Sequence, residues 1–313
     1  MRMERLLLVA LAGFAASLVD GALGMGFGPT SSTFLYLAGV APVAASFTIN
    51  LAKVATGAAG GFAHWKFGNL HRTIVWRLAV PGCIGAILGV GALSRIHSDD
   101  LKPVLAGLLC LVALRMLYRF VKGPTRSALI TELEANHHGR HRGSHADMPA
   151  SELRMMSAAA LIGGVTNGLV GAWGPVVTPA VMQSQSVEPR VAIGSTNIAE
   201  IAVAAVTSIA LISSRGVSEV DPRLLVALLI GGVIAAPAAA WAVKVIPANS
   251  LGVAVGLLLL LTNAGTVAEA VGVPAVMWGA YAIAGFSVGL AVCRMRRRSL
   301  DARAAAVDEV SVR

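Results

Sequence analysis

GALGMGFGPTSSTFLYLAG, residues 21–39, decides how this chain must be folded. Gly21, Gly24, Gly26 and Gly28 lead into Pro29. Such a run breaks a helix, because glycine frees the backbone and proline removes a donor and crowds the preceding turn. The apolar segment after the break covers about 29–40. At about 1.5 Å rise per residue it reaches only halfway across a bilayer. The same arrangement recurs as GLVGAWGP at 168–175, followed by a short apolar segment at 175–187. In a membrane, broken backbone is tolerated only where it is buried in protein or lines a watery cavity.

Composition places the chain in a membrane. Of its 313 residues, 56% are hydrophobic and 13% charged, against about a quarter charged in a soluble domain. The net charge of +9 lies between and after the apolar segments, as the positive-inside rule expects, and excludes a nucleic-acid reading. Cys83, Cys110 and Cys293 form no CxxC pair and read as buried apolar fillers. The start, MRMERLLLVALAGFAASLV, imitates a signal peptide, yet its apolar stretch runs on into a Gly-rich segment with an internal counterpart.

The remaining apolar segments fall at about 5–25, 43–63, 74–94, 103–120, 153–171, 190–213, 223–243, 251–268 and 274–293. The halves repeat at an offset near 147: Asp20-Gly21 matches Asn167-Gly168, Pro42 matches Pro189, and Asn50-Leu51-Ala52-Lys53 matches Asn197-Ile198-Ala199-Glu200. Weak internal symmetry with short segments at matching positions is the sequence sign of a secondary transporter. The expected fold is all-α and polytopic, with two pseudo-symmetric repeats taken as inverted. Residues 1–121 form the first repeat, 122–151 a cytoplasmic His- and Arg-rich linker, and 152–270 the second repeat. An extra transmembrane helix at 271–293 and a cytoplasmic tail at 294–313 follow. Inversion puts the linker and the CRMRRRS tail on one side, the cytoplasmic side of the cell membrane.

GALGMGFGP, then GVAPVAASFTIN, then FAHWKFGNLHRTIVWRLAVPGCIGAILG resemble, in that order, the TSUP family, the TauE/SafE sulfite-exporter group. The resemblance covers roughly 11–120 and 158–270. It implies transport of small anions: sulfite, organosulfonates, or related sulfur or carboxylate anions. The His-rich loop and the looser second Gly motif depart from the family pattern.

Within TINLAKVATG, residues 48–57, Lys53 stands inside an otherwise apolar or small-residue run. Ser46, Asn50, Lys53, Gly57 and Gly60 share one helical stripe, as do Asn197, Glu200, Ala204 and Thr207. A mid-membrane lysine costs about 2.5–3.5 kcal/mol on insertion scales, so these stripes face protein or water. In the functional reading Lys53 attracts an oxyanion and Glu200 carries a proton. Asn50 and Asn197 offer amide donors. The helix N-termini near Thr30, Ser31 and Val176 add backbone amides, and the hydroxyls of Thr30, Ser31, Thr48 and Ser195 complete the shell. The bland reading is a buried Lys53–Glu200 ion pair joining the halves. The two are compatible if an anion displaces Glu200.

Asp20 reads as a hydrogen-bonding cap on the broken backbone, and Arg115 as a residue near enough to a span's end to snorkel. Trp65, Trp76, Trp241 and Trp278 read as interface anchors. Gly57–Gly61 and Gly85–Gly89 have the spacing of close helix packing. His137, His138, His141 and His145 permit a metal-sensing alternative, though a solvated loop explains them and no closed metal site is expected. No phosphate loop, nucleophile constellation or intramembrane acidic cluster is present, so neither an enzyme nor a cofactor is expected. A passive anion channel remains the other alternative.

Overall fold

The computed structural model describes residues 3–272, except 24, 67–69, 96–97, 123–147, 185–186, 188, 217–220 and 246–247. The linker histidines, the segment 274–293 and the basic tail lie outside the described residues. Ten α-helices and no strand occur among the described residues. The first half contains α1 (Met3–Leu23), α2 (Phe27–Leu37), α3 (Pro42–Lys66), α4 (Arg72–Arg95) and α5 (Ser98–Lys122). The second contains α6 (Ala150–Val170), α7 (Gly174–Met182), α8 (Pro189–Arg215), α9 (Pro222–Val245) and α10 (Ala248–Ala270).

The short segments are short helices, of 11 residues for α2 and 9 for α7. Each returns beside the helix before it. Arg5 on α1 donates to the Gly39 carbonyl just beyond α2, at 2.6 Å. Ser184, just beyond α7, donates to the Glu152 carboxylate at the start of α6. Both hairpins therefore open at the ends where their first helices begin, with Arg5 and Glu152 at matching repeat positions. Arg5→Ala should lower stability by less than about 1 kcal/mol, since an exposed contact contributes little. Thermal melting in detergent checks this.

Glycines set the packing. α4 lies along α6: a Cβ on Gly85 would overlap the Leu161 carbonyl, and one on Gly164 would overlap the Gly82 carbonyl. Ala86 meets Gly164 and Val90 meets Gly168, so the two helices run in the same direction. The counterpart contact joins α1 to α9, where Gly231 meets the Ala10 carbonyl. α3 packs on α8 and α5 on α10, each with its own repeat counterpart. The Gly85–Gly89 spacing thus serves close helix contact, while Gly57 faces the Ile201 side chain. Such approach strengthens dispersion contact where lipid supplies no hydrophobic drive between helices.

The outward faces are apolar. Leu7, Leu11, Ile87, Leu111, Val233 and Ile234 are all more than half exposed. A continuous exposed aliphatic surface marks contact with lipid. Among the described residues five helices are long and apolar enough to cross a membrane: α4, α5, α6, α8 and α10. The chain is a multi-pass membrane protein. Trp76 is exposed, as an interface anchor would be, whereas Trp173 is fully buried. Cys83 and Cys110 are half-buried rather than buried: Cys83 packs against the core, and Cys110 Sγ reaches the Leu260 carbonyl of α10 at 3.9 Å.

Candidate functional site

The two breaks meet at the centre. Gly28 stacks on the Gly171 carbonyl, and Gly174 sits against Met25. Only glycine permits this approach, and Gly26 (φ 124°) and Gly171 (φ 68°) also take backbone angles that L side chains rarely adopt. α3 and α8 carry Lys53 and Glu200 beside this junction.

Lys53 is 6% exposed, and all three of its ammonium protons have acceptors. Nζ lies 2.6 Å from Glu200 Oε1, 2.9 Å from Asn167 Oδ1 and 2.6 Å from the Gly171 carbonyl. Asn167 Nδ2 donates to Asn50 Oδ1 at 2.8 Å and to Thr207 Oγ1 at 3.1 Å. Asn50 Nδ2 donates to the Ser46 carbonyl, and Ser46 Oγ to the Gly168 carbonyl. One polar network therefore ties α3, α6 and α8 to the second break. Glu200 is 23% exposed and is the most accessible of the three lysine partners.

Asp20 accepts from the Phe27 amide at 3.2 Å, the capping role expected of it. It is also close enough to Glu200 and Lys53 to interact with both charges. By repeat position Asp20 and Glu200 correspond to Asn167 and Lys53, and the two carboxylates lie near enough to feel each other's charge.

The helix N-termini differ from expectation. α2 begins at Phe27 and α7 at Gly174, each before its proline. The Thr30 amide bonds the Gly26 carbonyl and the Val176 amide the Trp173 carbonyl, so neither is open to an anion. Gly26's positive φ lets the chain turn straight into α2, which moves the first-turn amides back to Phe27, whose amide Asp20 already accepts, and Gly28.

Thr30 and Ser31 are buried, and their hydroxyls have no hydrogen-bond partner. Thr48 bonds back to the Ala44 carbonyl within its own helix. Ser195 accepts from the His71 amide at the start of α4. Asn197 lies on α8, one turn before Glu200. The geometry therefore gathers Lys53, Glu200, Asn50 and Asn167 directly, and engages Thr48 and Ser195 elsewhere.

Two arginines form a further part of the junction. Arg115 is exposed, as its place near a span's end suggests, and its Nε also donates to the Pro175 carbonyl of α7 at 3.2 Å. Arg119, one turn on, reaches the sulfurs of Met25 at 3.0 Å and Met182 at 3.4 Å. Its signal in the sequence was an arginine four residues from Arg115 in an apolar run.

A centrally buried, ion-paired lysine at the meeting of two broken, repeat-related hairpins is transporter architecture. The Sulfite exporter TauE/SafE family model matches residues 9–266, most of the chain. The chain belongs to the TauE/SafE family. It is 34% identical over 264 residues to the "Probable membrane transporter protein YtnM" of Bacillus subtilis (strain 168), covering 84% of this chain and 83% of the relative. No solved structure matches this TauE/SafE member.

Proposed function

We propose that this TauE/SafE protein is a secondary transporter of a small oxyanion, of the sulfite, organosulfonate or related carboxylate class, coupled to protons. The observation that carries the reading is the fully satisfied Lys53 ammonium, with one exchangeable carboxylate partner. Three ionisable groups share the site: Lys53 on α3, Glu200 on α8 and Asp20 on α1. Fully ionised, they carry one positive and two negative charges. An anion added to that set raises the repulsion unless a proton comes with it.

The exchange follows from these charges. The incoming oxyanion takes the place of the Glu200 carboxylate at Lys53. Glu200, deprived of its cation and within the field of the Asp20 carboxylate, takes up a proton. Asn167 and the Gly171 carbonyl keep Lys53 in position through the exchange. Anion and proton then travel together, in or out according to the gradients.

An inverted arrangement of the halves fits this reading. Each half has a hairpin that returns to its starting side, followed by three long helices. Three crossings per half invert the second repeat, and a seventh crossing by the expected span at 271–293 puts the tail inside with the basic linker and leaves the N-terminus outside. The parallel run of α4 and α6 fits this count.

The test is flux of labelled sulfite in proteoliposomes with and without an imposed pH gradient. Wild-type flux should follow the gradient. Glu200→Gln should still pass sulfite down its own concentration gradient while losing the response to pH. A Glu200→Gln protein with wild-type pH response would overturn the coupling. A Lys53→Ala protein with unaltered flux would overturn the anion site.

A further inference from the structure

We propose that Arg115 and Arg119 form a second oxyanion-binding subsite, at the linker-side mouth of the path to Lys53. This rests on the transport reading for the identity of its substrate, though its own chemistry is independent of it.

The two guanidiniums lie one turn apart on α5 and face α7 from its first residues to its last. Like charges at this spacing repel. Among the described residues neither has a carboxylate within 4.0 Å, since the one ion pair found there is Lys53–Glu200. Arg115 has a single carbonyl acceptor. Arg119 has two thioether sulfurs, which are weak acceptors, and its guanidinium stacks 5.6 Å from the Phe120 ring centroid. Two five-donor cations near the end of an apolar span thus share one oxygen acceptor. A bidentate oxyanion supplies what they lack.

Position links this pair to transport. Arg115 holds the Pro175 carbonyl, and Lys53 holds the Gly171 carbonyl. The second break is therefore bracketed by cations on both sides, four residues apart along the chain. α5 runs from this point to the basic linker, which inversion places inside the cell.

Repeat symmetry gives the same region a counterpart. At the offset of about 147, Arg115 and Arg119 correspond to Thr262 and Thr266 on α10. Those threonines line a cavity of about 140 Å³ with Thr33, Tyr36, Lys102 and Asn263, at the opposite end of the molecule. Asn263 donates to Thr33 on α2, as Arg115 donates to Pro175 on α7. Each hairpin's returning arm thus has polar side chains of α5 or α10 beside it, and only the linker-side set is a pair of arginines. An anion from the linker side meets two arginines before it reaches Lys53, whereas the opposite cavity carries the single cation Lys102 among hydroxyl, amide and apolar groups. The asymmetry favours capture from the linker side.

The ligand is an oxyanion, and two sources carry that chemistry: the soluble substrate and an anionic lipid headgroup. The experiment compares wild type, Arg119→Gln, Arg115→Gln and the charge-preserving Arg119→Lys. Sulfite flux is measured from each face in phosphatidylcholine vesicles, with and without phosphatidylglycerol. Sulfite-induced thermal stabilisation is measured in zwitterionic detergent. Arg119→Gln should raise the half-saturating sulfite concentration from the linker face about tenfold, the usual scale for losing a charge-assisted hydrogen bond. Maximal flux, and saturation from the other face, should change by less than about twofold, and Arg119→Lys should restore much of the affinity.

That result in pure phosphatidylcholine identifies the soluble anion as the occupant. A difference confined to phosphatidylglycerol vesicles identifies the headgroup. Should wild type carry no anion while Arg119→Gln still abolishes the sulfite-induced stabilisation, the transport reading fails and the subsite stands. Arginine variants with wild-type saturation from both faces, in both lipids, and wild-type thermal response overturn the proposal.

Discussion

Lys53→Met is expected to abolish anion flux and to destabilise the protein by about 3–5 kcal/mol, the usual cost of breaking a buried charge pair from one side. The change leaves the Glu200 carboxylate without its cation and the Asn167 and Gly171 oxygens without their donor. Adding Glu200→Met should recover most of the lost stability, because a pair replaced by packed apolar side chains is often close to neutral. Flux should stay absent in the double variant. Thermal melting in detergent and sulfite uptake in proteoliposomes, run on the same preparations, read both quantities. A double variant as stable and as active as wild type would reduce the pair to a bond between the halves. A double variant no more stable than Lys53→Met alone would show that the two side chains are uncoupled.

The cycle separates two meanings of one geometry. An ion pair joining α3 to α8 is a sufficient structural reason for both charges. A second carboxylate, Asp20, caps the Phe27 amide at the first break and stands within the field of the same pair. A purely structural pair is best left neutral as a whole, since excess buried charge costs more than the pair returns. The additional carboxylate is what a site needs if its net charge must change by one proton during each cycle.

Much of this was legible in the sequence. Lys53 and Glu200 stood at the same repeat position in apolar surroundings, and a mid-membrane charge demands a partner. The Gly-Pro breaks and the short segments after them marked where the backbone had to be enclosed. Ten of the expected apolar segments coincide with helices within a few residues. Other features had no local sign. Asn167 was visible as the neutral counterpart of Asp20, but its bonds to Lys53 and Asn50 join residues more than 100 positions apart. The Thr48 hydroxyl sits on a polar-looking stretch, yet a threonine in a helix can satisfy itself on its own preceding turn, and this one does. Arg115 resembled any cation near a span's end. Only the returning direction of α7 places the Pro175 carbonyl beside it. The start of α2 two residues before its expected position reflects the backbone angle at Gly26, which composition does not reveal.

Gly28→Ala should cost about 2–3 kcal/mol and most of the flux, a large effect for one methyl group. A Cβ at Gly28 would overlap the Gly171 carbonyl, and the obstacle is backbone, which no rotamer change can relieve. To make room, α2 must lift away or Gly171 must move. Gly171 already holds a left-handed backbone angle, φ 68°, and the Ile49 side chain occupies the space where a Cβ on it would stand. Its carbonyl is also an acceptor for Lys53 at 2.6 Å. Displacement of the carbonyl therefore loosens the lysine from the break, and packing damage becomes damage to the site. Gly91→Ala is the control, because a Cβ there meets open space within its helix. That variant should melt within about 0.5 kcal/mol of wild type and transport normally. If the two variants behaved alike, the contact between the breaks would not hold the structure together. If Gly28→Ala lost stability but kept wild-type affinity for sulfite, the contact would be structural, and the anion would bind away from the Gly171 carbonyl.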